Sequence, residues 1–140
     1  MKITSEKINE IAQELEAGMK VYLNRETLEI KPILDWEDIS DNEIWEEEVE
    51  DILKEWSSYL VISKMESREA FRVMEEFADS VEDEVFREGL IKILNRKSPF
   101  ANFKAEVESS PYRQNWFDFR LKKYEDYVKE HLEIEDFSID

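Results

Sequence analysis

The sequence contains no cysteine. That excludes disulfides, thiolate zinc sites and thiol nucleophiles. A single histidine, His131, excludes a multi-histidine metal centre. Two glycines are too few for a glycine-rich phosphate loop. No apolar run approaches the length of a membrane span. The opening residues Met1-Lys2-Ile3-Thr4-Ser5-Glu6 meet charge at once and lack the apolar core of a signal peptide. These absences lead to the expectation of a cytoplasmic protein with no membrane segment, no metal site and no cofactor.

What is present is acid and aromatic. The 140 residues carry 36 Asp and Glu against 19 Lys and Arg, for a net charge of −17. Apolar residues make up 41%, with eight Phe, five Tyr and four Trp. That is enough material for a core, and too much aromatic surface for a disordered acidic tail. The length fits a single domain over 1–140.

Charge is distributed unevenly. Residues 35–55 hold 11 acidic groups and one basic, for −10, whereas residues 92–129 hold nine basic and five acidic, for +4. An acidic segment and a basic segment coexist in one chain.

Periodicity divides the chain further. Ile8, Ile11, Ala12 and Leu15 recur at spacings of three and four, which predicts a helix capped by Thr4 or Ser5 and stopped at Gly18. Val21 and Leu23, then Leu28 and Ile30 after a turn near Asn24-Arg25-Glu26, alternate with polar residues. That predicts a hairpin ended by Pro32. Residues 35–43 read as an acidic linker. Ile44, Trp45, Val49, Ile52, Leu53 and Trp56 return to helical spacing. The run Tyr59-Leu60-Val61-Ile62-Ser63 can add a third strand to the hairpin. A helix capped by Ser67 carries Phe71, Met74, Phe77 and Ala78. After a break near 79–83, another carries Val85, Phe86, Leu90, Ile93 and Leu94. Pro99 opens a short helix with Phe100, Phe103 and Val107, and Pro111 opens a last one ending near Leu132. The tail at 133–140 reads as frayed. The fold class expected is α+β, mainly helical. It has a small N-terminal antiparallel sheet over 1–34 plus one strand, and a mostly helical part over 44–132.

Candidate chemistry is sparse. Residues 35–46 place Asp35, Glu37, Asp41, Glu43 and Glu46 at five ligand positions of a twelve-residue calcium loop. However, Ile39 offers no side-chain oxygen at position 5, and Ser40 stands where the sharp turn needs glycine. His131 lies at the end of the last helix, where a cation is favoured for structural reasons alone. No nucleophile, base and orienting group come together in the pattern, so no catalytic residue is assigned and no enzyme is expected.

Two surfaces remain. Glu43, Glu47 and Asp51 share one helix face, where like charges four apart repel by about 0.2–0.5 kcal/mol per pair. Such a face is either solvated or matched to a basic partner, most simply another protein. Arg96, Lys97, Lys104, Arg113 and Arg120 are interleaved with aromatics and form an alternative anion or nucleic-acid site. Nucleic acid is the weaker partner, because a chain at −17 repels phosphate backbone unless its positive face is well segregated.

Three blocks carry a family likeness. The first is Ser67-Arg68-Glu69-Ala70-Phe71-Arg72-Val73-Met74-Glu75-Glu76-Phe77, containing a Met-x-x-Phe helix. The second is Arg96-Lys97-Ser98-Pro99-Phe100-Ala101-Asn102-Phe103-Lys104, and the third is Trp116-Phe117-Asp118-Phe119-Arg120. With the N-terminal helix and hairpin, these blocks resemble a bacterial group known as uncharacterised protein family 0158. The family pattern for the second block is Gly-Lys-Gly-Ala-Phe-Arg-Arg-Phe-Lys. Here Arg96 and Ser98 replace its glycines, and Ala101 and Asn102 replace its arginine pair. The resemblance implies kinship and brings no assigned activity.

Overall fold

A computed structural model describes residues 2–34 and 58–139. The expected acidic linker and the helix at 44–56 lie outside the described residues. The architecture is α+β and mainly helical, as the periodicity predicts. The described residues gather into two compact units: residues 1–64 with 124–140, and residues 65–123.

The first unit opens with β1 (Lys2–Ile3) and α1 (Ser5–Glu16). Thr4 caps α1, its hydroxyl accepting the Lys7 amide at 3.2 Å. Ile8, Ile11, Ala12 and Leu15 are buried, as their spacing requires. Gly18 stops the helix at φ +91°, its amide donating to the Leu15 carbonyl. A Cβ at Gly18 would meet nothing within 4 Å, so the demand there is for backbone conformation rather than space.

The main sheet contains β2 (Met19–Asn24), β3 (Ile30–Leu34) and β4 (Tyr59–Ile62) in the order β3-β2-β4, antiparallel throughout. Val21 pairs with Ile62 and Leu23 with Leu60, so the buried residues of both strands share one face. The hairpin turn is built on Asn24, whose side-chain carbonyl accepts the amides of Glu26 and Thr27.

Pro32 departs from the expectation. It does not end β3, which continues to Leu34. The Asn24 amide donates to the Glu29 carbonyl, which sets the alternation of the ladder. On that alternation Pro32, opposite Val21, takes a non-hydrogen-bonded position. Its missing donor therefore lies on the side away from β2 and removes no ladder bond.

The chain end also differs from the expected frayed tail. Residues Ser138–Ile139 form β5, parallel to β1, with Lys2 opposite Ser138 and Ile3 opposite Ile139. The preceding helix ends in a Schellman motif. Asp136 takes φ +65°, its amide donates to the Glu133 carbonyl, and the Phe137 amide donates to that of Leu132 at 2.9 Å. Leu132 and Phe137 are both buried, supplying the apolar contact typical of that motif. Acidic composition suggested fraying, and one aromatic residue overrides it.

The second unit stacks α2 (Ser67–Ser80), α3 (Glu84–Leu94), α4 (Pro99–Glu108) and the first half of α5 (Arg113–Ile134). Its core is Met74, Phe77, Ala78, Val81, Leu90, Leu94, Phe103, Val107 and Trp116. Two helix starts shift from the sequence reading. Glu66, not Ser67, occupies the cap of α2, without a side-chain bond. Helix α5 begins at Arg113 because Ser110 and Pro111 are taken up in a turn, with the Ser110 hydroxyl accepting the Tyr112 amide at 3.1 Å.

The two glycines give opposite expectations. Gly18→Ala should destabilise by about 1 kcal/mol, because alanine resists a left-handed backbone. Gly89→Ala, inside α3 with open space around it, should stabilise by about 0.5–1 kcal/mol. Urea unfolding midpoints of the two variants check both signs.

Candidate functional site

The basic segment begins in the turn between α3 and α4. The Asn95 side-chain amide donates to the Ile91 carbonyl at 2.8 Å, and the Asn102 side-chain amide donates to the Lys97 carbonyl at 3.1 Å. Ser98 adopts φ +52°, and Pro99 fills the first helical position, where its missing amide is no loss. The turn is thus pinned from both flanking helices. Arg96, Lys97 and Lys104 are exposed, and no ion pair engages them among the described residues.

The remaining cations of the candidate anion site lie elsewhere. Arg113 follows the far end of α4, so about 15 Å of helix separates it from Arg96 and Lys97. Its guanidinium lies over the Phe117 ring at 5.2 Å. Arg120 is half-buried, two helical turns further along α5. Lys123 pairs with Glu76 at 2.6 Å and lies over the Phe119 ring. The five cations are therefore spread over three elements: Arg96 and Lys97 in the turn before α4, Lys104 within α4, and Arg113 and Arg120 in α5. Glu43, Glu47 and Asp51 lie outside the described residues.

Charge divides between the two units. Residues 65–123 hold 12 acidic and 11 basic groups, leaving −1, while the rest of the chain holds 24 and 8, leaving −16. Almost the entire negative charge of the molecule therefore belongs to the unit that contains the sheet.

His131 is half-buried in the last turns of α5. Its Nδ1 lies 3.0 Å from the Tyr127 carbonyl, and its ring lies 4.4 Å from that of Tyr127. The Tyr127 hydroxyl in turn donates to the Ser63 carbonyl at 2.8 Å. The contacts of the imidazole fit a helix-end role. Among the described residues no group of three or more His, Asp or Glu side chains is placed to hold a metal ion. Among them, too, no helix is long and apolar enough to cross a membrane.

One feature escapes sequence reasoning. A cleft of about 300 Å³ in the second unit is lined by Phe77, Ser80, Val81, Glu82, Tyr112 and Asn115. Its two walls lie some thirty residues apart in sequence. The only local signal is the acidic run Asp79-Ser80-Val81-Glu82-Asp83-Glu84 at the break between helices.

These elements define a small α+β chain of two units, one strongly acidic and one nearly neutral. The chain belongs to the Uncharacterised protein family (UPF0158), whose family model matches residues 2–139. No curated protein and no solved structure matches it.

Proposed function

We propose that the chain is a small cytoplasmic protein-binding module with no chemistry of its own, whose acidic unit docks onto a basic partner protein. The partition of charge supports this reading. A charge of −16 on residues 1–64 with 124–140, against −1 on residues 65–123, favours association with a basic surface. The segment at 35–55 supplies −10 of that charge, and Glu43, Glu47 and Asp51 are its recognition face.

Reversing Glu43, Glu47 and Asp51 to lysine moves the net charge from −17 to −11, two units at each position. Partner capture by the triple variant should be abolished while its far-UV circular dichroism stays unchanged. Wild-type capture should weaken as salt is raised. Capture by the triple variant equal to that of the wild type would remove the reading.

A second reading is anion binding at the α3–α4 turn, favoured by the pinned backbone and by the lack of ion pairs at Arg96, Lys97 and Lys104 among the described residues. Retention on heparin resin that falls with salt, and that is lost on changing these three residues to serine, distinguishes it from the first. Flow-through at low salt counts against it.

A further inference from the structure

The cleft between the end of α2 and the start of α5 carries a consistent chemistry. Phe77 and Val81 are buried, at 3% and 4% exposure, and supply an apolar lining. Tyr112 is half-buried, and one face of its ring stacks on Phe86 at 5.0 Å. Each polar group around this lining can accept a hydrogen bond. The Ser80 hydroxyl donates its proton to the Phe77 carbonyl at 2.6 Å, which leaves its lone pairs to accept. Glu82 brings an exposed carboxylate, while the Asn115 amide and the Tyr112 hydroxyl can both accept and donate.

The loop before α3 adds negative charge to this junction, opposed by the positive end of α5. Helix α2 ends at Ser80, so its negative dipole end faces this junction. Asp79, Asp83 and Glu84 flank Glu82, and the Asp83 carboxylate caps α3 by accepting the Phe86 amide at 3.0 Å. Of the neighbouring cations, Arg87 in α3 donates to the Val81 carbonyl at 3.1 Å, and Arg113, next to Tyr112 in sequence, lies over the Phe117 ring at 5.2 Å. The Glu82 carboxylate and its acidic neighbours beside an apolar lining suit a ligand that is positive and partly apolar. A volume of about 300 Å³ is at the small end for ligand pockets, enough for one side chain or a small amine.

We propose that this cleft binds a primary ammonium or guanidinium group on a short apolar stem, presented by a free aliphatic amine or by a lysine or arginine side chain. The Glu82 carboxylate pairs with the charge, Ser80 and Asn115 accept its remaining N–H groups, and the stem lies against Phe77 and Val81. The proposal is independent of the acidic segment at 35–55, since every lining residue lies in the second unit.

The test is a titration of the ¹⁵N-labelled full chain followed by two-dimensional NMR, with three probes. These are agmatine, a blocked Gly-Arg-Gly tripeptide and the same tripeptide with citrulline, which keeps the shape of arginine without its charge. The cationic probes should shift the amides of Ser80 and Val81 and the side-chain signals of Asn115 saturably. The citrulline peptide should bind roughly tenfold or more weakly, and Glu82→Gln should weaken the cationic probes by a similar factor. Tighter binding of agmatine would identify free amines as the source, and tighter binding of the tripeptide a protein side chain. Either preference supports the proposal. Equal binding of the citrulline peptide, unchanged binding in Glu82→Gln, or shifts that never saturate would overturn it. Asn115→Ala, at an exposed position, provides a second variant that leaves the core untouched.

Discussion

Phe77→Ala should lower the unfolding free energy by about 3–5 kcal/mol, the largest loss expected from any single residue of the second unit. Phe77 is 3% exposed at the centre of the helical core. Its ring meets three others edge-on, Phe103 at 6.4 Å, Trp116 at 5.2 Å and Phe119 at 5.4 Å. Each such pair is worth about 0.5–1.5 kcal/mol beyond the area it buries. Truncation removes all three and leaves a cavity among rigid rings that cannot easily collapse. Phe71→Ala serves as the contrast. Phe71 is half-buried and meets Phe100 edge-on at 6.3 Å, so its loss should be clearly smaller. Urea unfolding of both variants, with near-ultraviolet circular dichroism as the tertiary probe, measures the difference. Equal losses would contradict the central place given to Phe77. Small domains are stable by only about 5–15 kcal/mol, so the Phe77 variant should lose a large fraction of its stability.

Phe137→Ala is expected to lose about 3 kcal/mol and to release the end of the chain. The ring is 6% exposed, and its amide closes the Schellman motif on Leu132. From the next residue the chain pairs with β1, through only two residues on each side. A ladder that short has little stability of its own. The buried ring has to hold it in place, helped by the exposed pair between Arg25 and Glu135 at 3.1 Å. Amide hydrogen exchange at Ile3 and Ile139 should therefore accelerate in the variant, while exchange in α3 and α4 stays near the wild-type rate. Unchanged protection at Ile3 would show that the ladder stands without the ring.

Much of this architecture is legible in the sequence where a single period dominates. Ile8, Ile11, Ala12 and Leu15 fall on one face and are all buried. Val21, Leu23, Leu60 and Ile62 alternate and share one side of the sheet. The break at 79–83 shows in composition, and Asp83 indeed caps α3. What is hidden depends on geometry that periodicity does not encode. A two-residue strand such as β5 has no period to detect. The hydrogen-bonding phase that lets Pro32 remain inside β3 depends on register with β2. Ser67 fits a cap by type, but the chain enters α2 one residue earlier. The cleft joins Ser80 to Asn115 through packing alone. The candidate anion residues share a composition but are spread over a turn and two helices.

The second unit is one unbroken stretch, 65–123, inserted within the chain of the first, which needs residues 124–140 for completion. During synthesis the inner unit leaves the ribosome whole and can fold as soon as it clears the exit tunnel. The outer unit must wait for its final segment, holding the strands of its sheet without α5's last turns or β5. Translation order thus makes the neutral helical unit the first to be complete, and a ribosome stalled before residues 124–140 would leave the acidic unit incomplete.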